Sequence, residues 1–179
     1  DPEDHLSIRG RRPMYRLETM ALPLSQTQRA TSPVRVLVVD DSAFMRKSLT
    51  TMLEEGKQIH VVGVARNGEE AIQQVQQLKP DVVTMDVEMP GMTGLQALQQ
   101  IMSKFPVPVI MVSSITVKGA QETLQALEWG AVDFVPKQLD GVVSKIADIQ
   151  HQLVSKVLAA RYAGAKLKRM PVTGSVKPG

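Results

Sequence analysis

The chain has 179 residues, of which 43% are apolar and 22% charged, the balance of a folded domain with some chain to spare. It contains no cysteine, which excludes a disulfide framework, a thiol nucleophile and a Cys-ligated metal site, and its three histidines (His5, His60, His151) argue against a multi-His one. Its net charge of +3 divides unevenly into +1 over residues 1–33, −3 over 34–138 and +5 over 139–179, so the basic character belongs to the C-terminal stretch and the middle offers no nucleic-acid stripe.

In chain order, residues 1–33 show no sustained apolar period and contain Pro2, Pro13, Pro23 and Pro33; they read as a disordered leader. No apolar run reaches the roughly 20 residues of a membrane span, and Pro23 interrupts the only candidate signal-peptide core. A cytoplasmic protein without membrane insertion is expected. From Val34 the texture changes. Residues 34–39 form an apolar, β-branched run that ends in Asp40-Asp41. Ser42 can cap a helix over 43–55 whose inner face is Met45, Leu49, Met52 and Leu53. A second strand is expected over 60–65. Asn67 and Glu70 have capping-box spacing and open a helix that Pro80 ends. A third strand over 81–85 delivers Asp86, and Met89-Pro90-Gly91 makes a turn. Thr93 caps a helix with Leu95, Leu98, Ile101, Met102 and Phe105 facing inward. Residues 107–112, 118–129, 131–135 and 142–162 then read as strand, helix, strand and helix.

Five strands rich in Val and Ile alternate with five helices, which predicts a doubly wound α/β fold with a five-stranded parallel sheet covered on both faces. The domain occupies residues 34–162. Residues 163–179, rich in Gly, Lys, Pro and Ser, read as a basic linker. Trp129 and Phe134 are each the lone aromatic on their element and read as core, and His60 reads as structural.

In such a sheet the functional site lies outside the carboxyl ends of the strands. The first strand brings Asp40 and Asp41 there, the third Asp86, the fourth Ser113 and Ser114, and the fifth Lys137. Singly, each has an ordinary reading as a cap, a turn residue or a solvated side chain. Together, at four strand ends in order, they describe one pocket. Clustered carboxylates repel unless a cation intervenes, and Mg²⁺ is the natural partner. An aspartate beside it can attack phosphorus, with Lys137 and Ser113 each meeting a phosphoryl oxygen.

Residues 34–42 (VRVLVVDDS), 82–94 (VVTMDVEMPGMTG), 109–114 (VIMVSS) and 130–137 (GAVDFVPK) resemble the motifs of the response-regulator receiver domain, a flavodoxin-like (βα)5 fold. The resemblance implies that Asp86 is the phosphoacceptor. It implies that Asp41 ligates Mg²⁺ directly, Asp40 largely through water, and that the backbone carbonyl of Glu88 is a further ligand. Ser113 takes the switch-hydroxyl position, Phe134 the switch-aromatic position and Lys137 that of the family's lysine. Asp86-Val-Glu-Met-Pro90 and residues 123–137 (TLQALEWGAVDFVPK) are closest to the receiver of chemotaxis protein-glutamate methylesterases, the CheB family. That implies a two-component phosphorelay with a histidine kinase as donor, and chemoreceptors reached through a C-terminal esterase domain. This chain has no G-x-S-x-G elbow, so it carries no esterase site of its own. Thr93 replaces the family's usual Asp or Asn, and Gln138 its frequent Pro. Two other readings stand beside this one: the receiver of a DNA-binding regulator, and a phosphatase of the haloacid dehalogenase type. The second would place its nucleophile in a D-x-D motif at the first strand, whereas here the paired acids come first.

Overall fold

The computed structural model describes residues 32–113, 117–137 and 143–167. Most of the expected leader, and the expected linker beyond residue 167, lie outside the described residues, as does Ser114. The elements are β1 (Val34–Val39), α1 (Ala43–Glu54), β2 (Ile59–Ala65), α2 (Gly68–Leu78), β3 (Val82–Asp86), α3 (Gly94–Lys104), β4 (Val109–Ser113), α4 (Val117–Glu128), β5 (Asp133–Pro136) and α5 (Val143–Leu167). All strand pairs are parallel, in the order β2-β1-β3-β4-β5. This is the doubly wound flavodoxin-like order, whose switch point lies between β1 and β3.

Each face of the sheet has its own apolar layer. Leu37, Val39, Val83, Met85 and Met111 pack against α2, α3 and α4, while Val34, Val36, Val38, Val82 and Ile110 pack against α1 and α5. Both faces of every inner strand are therefore apolar, which is why the strands read as continuous runs rather than as alternating patterns. The inner face expected for α1 is buried as expected. Of the five residues expected inside on α3, Met102 and Phe105 are only partly buried against the core.

The helix starts are set by their caps. Ser42 Oγ accepts from the Met45 amide, and Asn67 Oδ1 from the Glu70 amide. The box at Asn67 is half realised, because the Glu70 carboxylate accepts from the Arg66 amide instead of from the cap. The reciprocal box forms at Thr93, with Gln96 returning its side chain to the Thr93 amide. The Arg35 guanidinium on β1 donates to the carbonyls of Leu78 and Lys79 and holds down the C-terminus of α2. On β2, Gln74 Nε2 donates to the Val64 carbonyl at 2.7 Å.

Three boundaries differ from expectation by two residues or more. β4 begins at Val109 because Pro108 has no N–H to give the ladder; its carbonyl accepts from Val83 instead. β5 begins at Asp133 because Gly130 turns the chain with φ +105° and the Ala131 amide is spent on Ala126 of α4. α5 runs on to Leu167, through residues expected to start the linker. Ala, Lys and Leu sustain the helix there, and Gly164 lies where a Cβ would sit 3.2 Å from the Pro108 ring.

The Thr84 hydroxyl, in the central strand, is fully buried and has no hydrogen-bond partner among the described residues. Its neighbours in register, Val38 and Ile110, are aliphatic. Thr84→Val should therefore stabilise the protein by about 1–2 kcal/mol, by removing an unmet hydroxyl at nearly equal volume. Urea unfolding checks this: the midpoint should rise with the slope unchanged.

Candidate functional site

Strand β1 ends in valines that must stay inside, so the residue that follows is carried out to the rim of the sheet. That residue is Asp40, still fully buried, whose amide continues the ladder to the Ala65 carbonyl. Its Oδ1 accepts from the Ser42 amide at 2.9 Å, so the carboxylate caps the turn into α1. Asp41, one residue on, is exposed. Arg46, one turn into α1, donates to the backbone carbonyls of both acids at 2.9 and 3.0 Å.

Asp86 ends β3 next door, only 3% exposed. The Glu88 amide donates to its Oδ1 at 3.3 Å. The helix that follows is drawn in close: the Gly94 amide donates to the Val87 carbonyl, and a Cβ on Gly94 would overlap the Asp86 carbonyl oxygen. Lys137 follows β5, its amide donating to the Ser113 carbonyl at 2.6 Å. Its Nζ reaches across β4 and lies 2.8 Å from Asp40 Oδ2 and 2.9 Å from Asp86 Oδ2. One ammonium thus bridges two buried carboxylates, and carboxylate oxygens of Asp40, Asp41 and Asp86 come within 4.8 Å of one another.

The charges do not balance. Burial, reinforced by the charge of Asp40, pushes the Asp86 carboxyl up to about 6, against the pull of the Lys137 hydrogen bond. For Lys137, burial works against the charged form, but the hydrogen bonds to Asp40 and Asp86 and their charges outweigh it and raise the ammonium above its ordinary value. Three acids beside one lysine, which reaches only Asp40 and Asp86, make an oxygen-only, electron-rich nest, the donor set that suits a hard divalent cation.

A pH dependence follows. The Asp86 pKa is higher folded than unfolded, so the folded state holds the extra proton between about pH 4 and 6. The stability this confers is present at the acid side of that window and lost as pH rises through about 6. After discounting for solvent screening, ionised Asp86 should cost the metal-free protein about 1–2 kcal/mol at pH 7.5. Asp86→Asn should therefore be more stable than the parent at pH 7.5, and the gap should shrink by most of that amount at pH 4.5 in urea unfolding. A gap independent of pH would contradict the burial argument.

The structure brings Asp40, Asp41, Asp86 and Lys137 together, as the sequence predicts. Ser113 ends β4, nearly buried, with its hydroxyl donating to the Gly119 carbonyl of α4 at 3.3 Å. The Glu88 side chain turns outward to Lys118 at 3.8 Å. Phe134 is not core: it is 41% exposed on β5, which ends the sheet and has no further strand beside it among the described residues. Trp129 packs partly buried against the core. His60 is exposed and meets Glu54 at 3.1 Å. Sequence reading missed Arg46, which gives no local signal, and the tight approach at Gly94, for which the Thr-Gly pair at a helix start is the only hint.

The profile of the response regulator receiver domain matches residues 36–146. A protein-glutamate methylesterase/protein-glutamine glutaminase of Bacillus subtilis is 52% identical over 145 residues, covering 81% of this chain and 40% of the relative. One from Nitratidesulfovibrio vulgaris is 57% identical over 124 residues, covering 69% and 34%. The chain thus spans about 40% or less of the length of these relatives. Among solved structures, the response regulator domain of Thermotoga maritima CheB superposes with a TM-score of 0.66 at 45% identity, covering 73% of this chain and 97% of that one.

Proposed function

The chain belongs to the response regulator receiver domain family, and from that premise we propose that it is the phosphoacceptor module of a chemotaxis signalling system. It takes a phosphoryl group on Asp86 from a histidine kinase and controls a C-terminal protein-glutamate methylesterase domain. The observation that carries this reading is the bridge of Lys137 between Asp40 and Asp86 at the switch point of the sheet, with Asp41 on its open side.

The chemistry assigned to each residue follows from its surroundings. An Asp86 oxygen attacks the phosphorus of a phosphohistidine, the P–N bond breaks, the imidazole leaves with the bonding pair, and an aspartyl phosphate forms. Lys137 stays beside the carboxylate and neutralises a phosphoryl oxygen. Asp40, Asp41 and Asp86, with the backbone carbonyl of Glu88, would hold Mg²⁺; all are hard oxygen donors, and the crowding that raises Asp86 is what such an ion relieves. When bound, the ion supplies charge neutralisation for the acids and the incoming phosphoryl oxygens. The Ser113 hydroxyl exchanges Gly119 for the phosphoryl group, and Phe134 turns inward, altering the surface formed by α4, β5 and α5. The methylesterase domain responds to that surface and carries the contact with chemoreceptors. Among the described residues no helix is long and apolar enough to cross a membrane.

Calorimetric titration with Mg²⁺ tests the metal assignment. Asp41→Ala should bind about tenfold or more weakly than the parent, since it loses a direct ligand. The parent should also bind beryllofluoride only when Mg²⁺ is present. Equal Mg²⁺ affinity in Asp41→Ala and parent would remove the assignment.

A further inference from the structure

Phe134 is held by a small polar assembly that the phosphoacceptor chemistry does not use. Its amide donates to Asp133 Oδ1 at 2.8 Å. Its carbonyl accepts from Lys156 Nζ, on α5, at 2.7 Å. The same ammonium lies 2.9 Å from Asp133 Oδ1 and 5.0 Å from the centre of the Phe134 ring. Both backbone polar groups of Phe134 and the face of its ring are therefore engaged by one ion pair. Phe134 remains 41% exposed with the cation over its ring. An exposed aromatic gains by turning into the protein, so something must favour the outward state; attraction of the ammonium to the ring face does so.

We infer that Lys156, oriented by Asp133, is a positioning residue of the switch: it holds Phe134 outward and sets how much the free protein resists the inward state. The inference rests on the proposed role of Phe134 as the moving aromatic. It adds a residue one helix away from the phosphoacceptor pocket, on an element that also packs against α1. A phosphoryl group shifts the equilibrium only by its differential stabilisation of the two states, so weakening the outward state lowers the work it must do. The geometry also fixes which part of Lys156 matters. The charge holds the ring, while the aliphatic stem contributes ordinary packing that methionine can replace.

The test uses the full chain with ring-¹³C phenylalanine. Its three phenylalanines, Phe44, Phe105 and Phe134, give three sets of signals, assigned with Phe→Leu variants. In Lys156→Met the Phe134 signals should move while those of Phe44 and Phe105 stay in place, and Lys156→Arg should keep them near the parent positions. Beryllofluoride affinity at saturating Mg²⁺ should rise about two- to fivefold in Lys156→Met, the size expected for losing an exposed cation–π contact. That gain should vanish in a Phe134→Leu background. Unmoved Phe134 signals in Lys156→Met would overturn the inference, as would an affinity gain that persists without Phe134. Failure of the parent to bind beryllofluoride would strike the proposed function instead, and the Phe134 signals would still decide whether Lys156 positions the ring.

Discussion

Asp86→Asn should all but abolish phosphoryl incorporation. With Mg²⁺ and a small phosphodonor such as acetyl phosphate, the parent should acquire one alkali-labile phosphoryl group, and Asp86→Asn should lose at least about two orders of magnitude in rate. The amide occupies nearly the same volume but has no charged oxygen to attack phosphorus. It also leaves the Lys137–Asp40 pair, at 2.8 Å, in place, so the variant folds with its pocket framed. Intact-mass spectrometry at short times reads the result directly. Undiminished labelling of Asp86→Asn would move the acceptor to Asp40 or Asp41, the other two acids of the cluster.

Gly94→Ala should be nearly as damaging, although it changes no polar group. The methyl would fall on the Asp86 carbonyl oxygen, 2.9 Å from the carbonyl carbon and 3.0 Å from Val87 Cα. These are backbone atoms of an inner strand and cannot swing aside as a side chain would. Either the start of α3 retreats and gives up the Gly94 amide bond to Val87, or the end of β3 moves and takes Asp86 with it. The expected loss is about 3 kcal/mol in urea unfolding, and phosphorylation should slow by about a hundredfold if Asp86 shifts by an ångström. Gly56→Ala is the control: its Cβ would meet nothing within 4 Å, and stability should change by no more than about 0.5 kcal/mol.

Much of this architecture was readable because the residues that matter stand where the hydrophobic period stops. Val34 to Val39 can only be a buried strand, and Asp40-Asp41 marks where it surfaces; Met85-Asp86 and Val135-Pro136-Lys137 punctuate their strands in the same way. Those endings, set side by side by a parallel sheet, place the three acids and the lysine at one rim. What escaped the sequence depends on relations between distant segments. Beyond the Thr93-Gly94 pair at the helix start, nothing near Gly94 announces that the Asp86 carbonyl lies against it. Phe134 looks like core because it is apolar and alone, and only the position of β5 at the edge of the sheet leaves it exposed. Arg46 spends its guanidinium on two backbone carbonyls, a use that side-chain chemistry does not disclose. The end of α5 reads as linker because Gly164 and the lysines resemble one, whereas Pro108, 3.2 Å from where a Cβ would stand, makes that glycine a close-packing position.

The two edges of the sheet share a feature with consequences for behaviour at high concentration. On β2 the Val64 carbonyl is occupied by Gln74, and on β5 the Phe134 carbonyl is occupied by Lys156. An incoming strand from another chain would have to displace a side chain on either border before it could form its first rungs. A charge standing in the approach, as at Lys156, makes that displacement costlier still. Resistance to edge-to-edge polymerisation is therefore supplied by single side chains on the flanking helices, and variants at Gln74 or Lys156 should be watched for turbidity as well as for signalling.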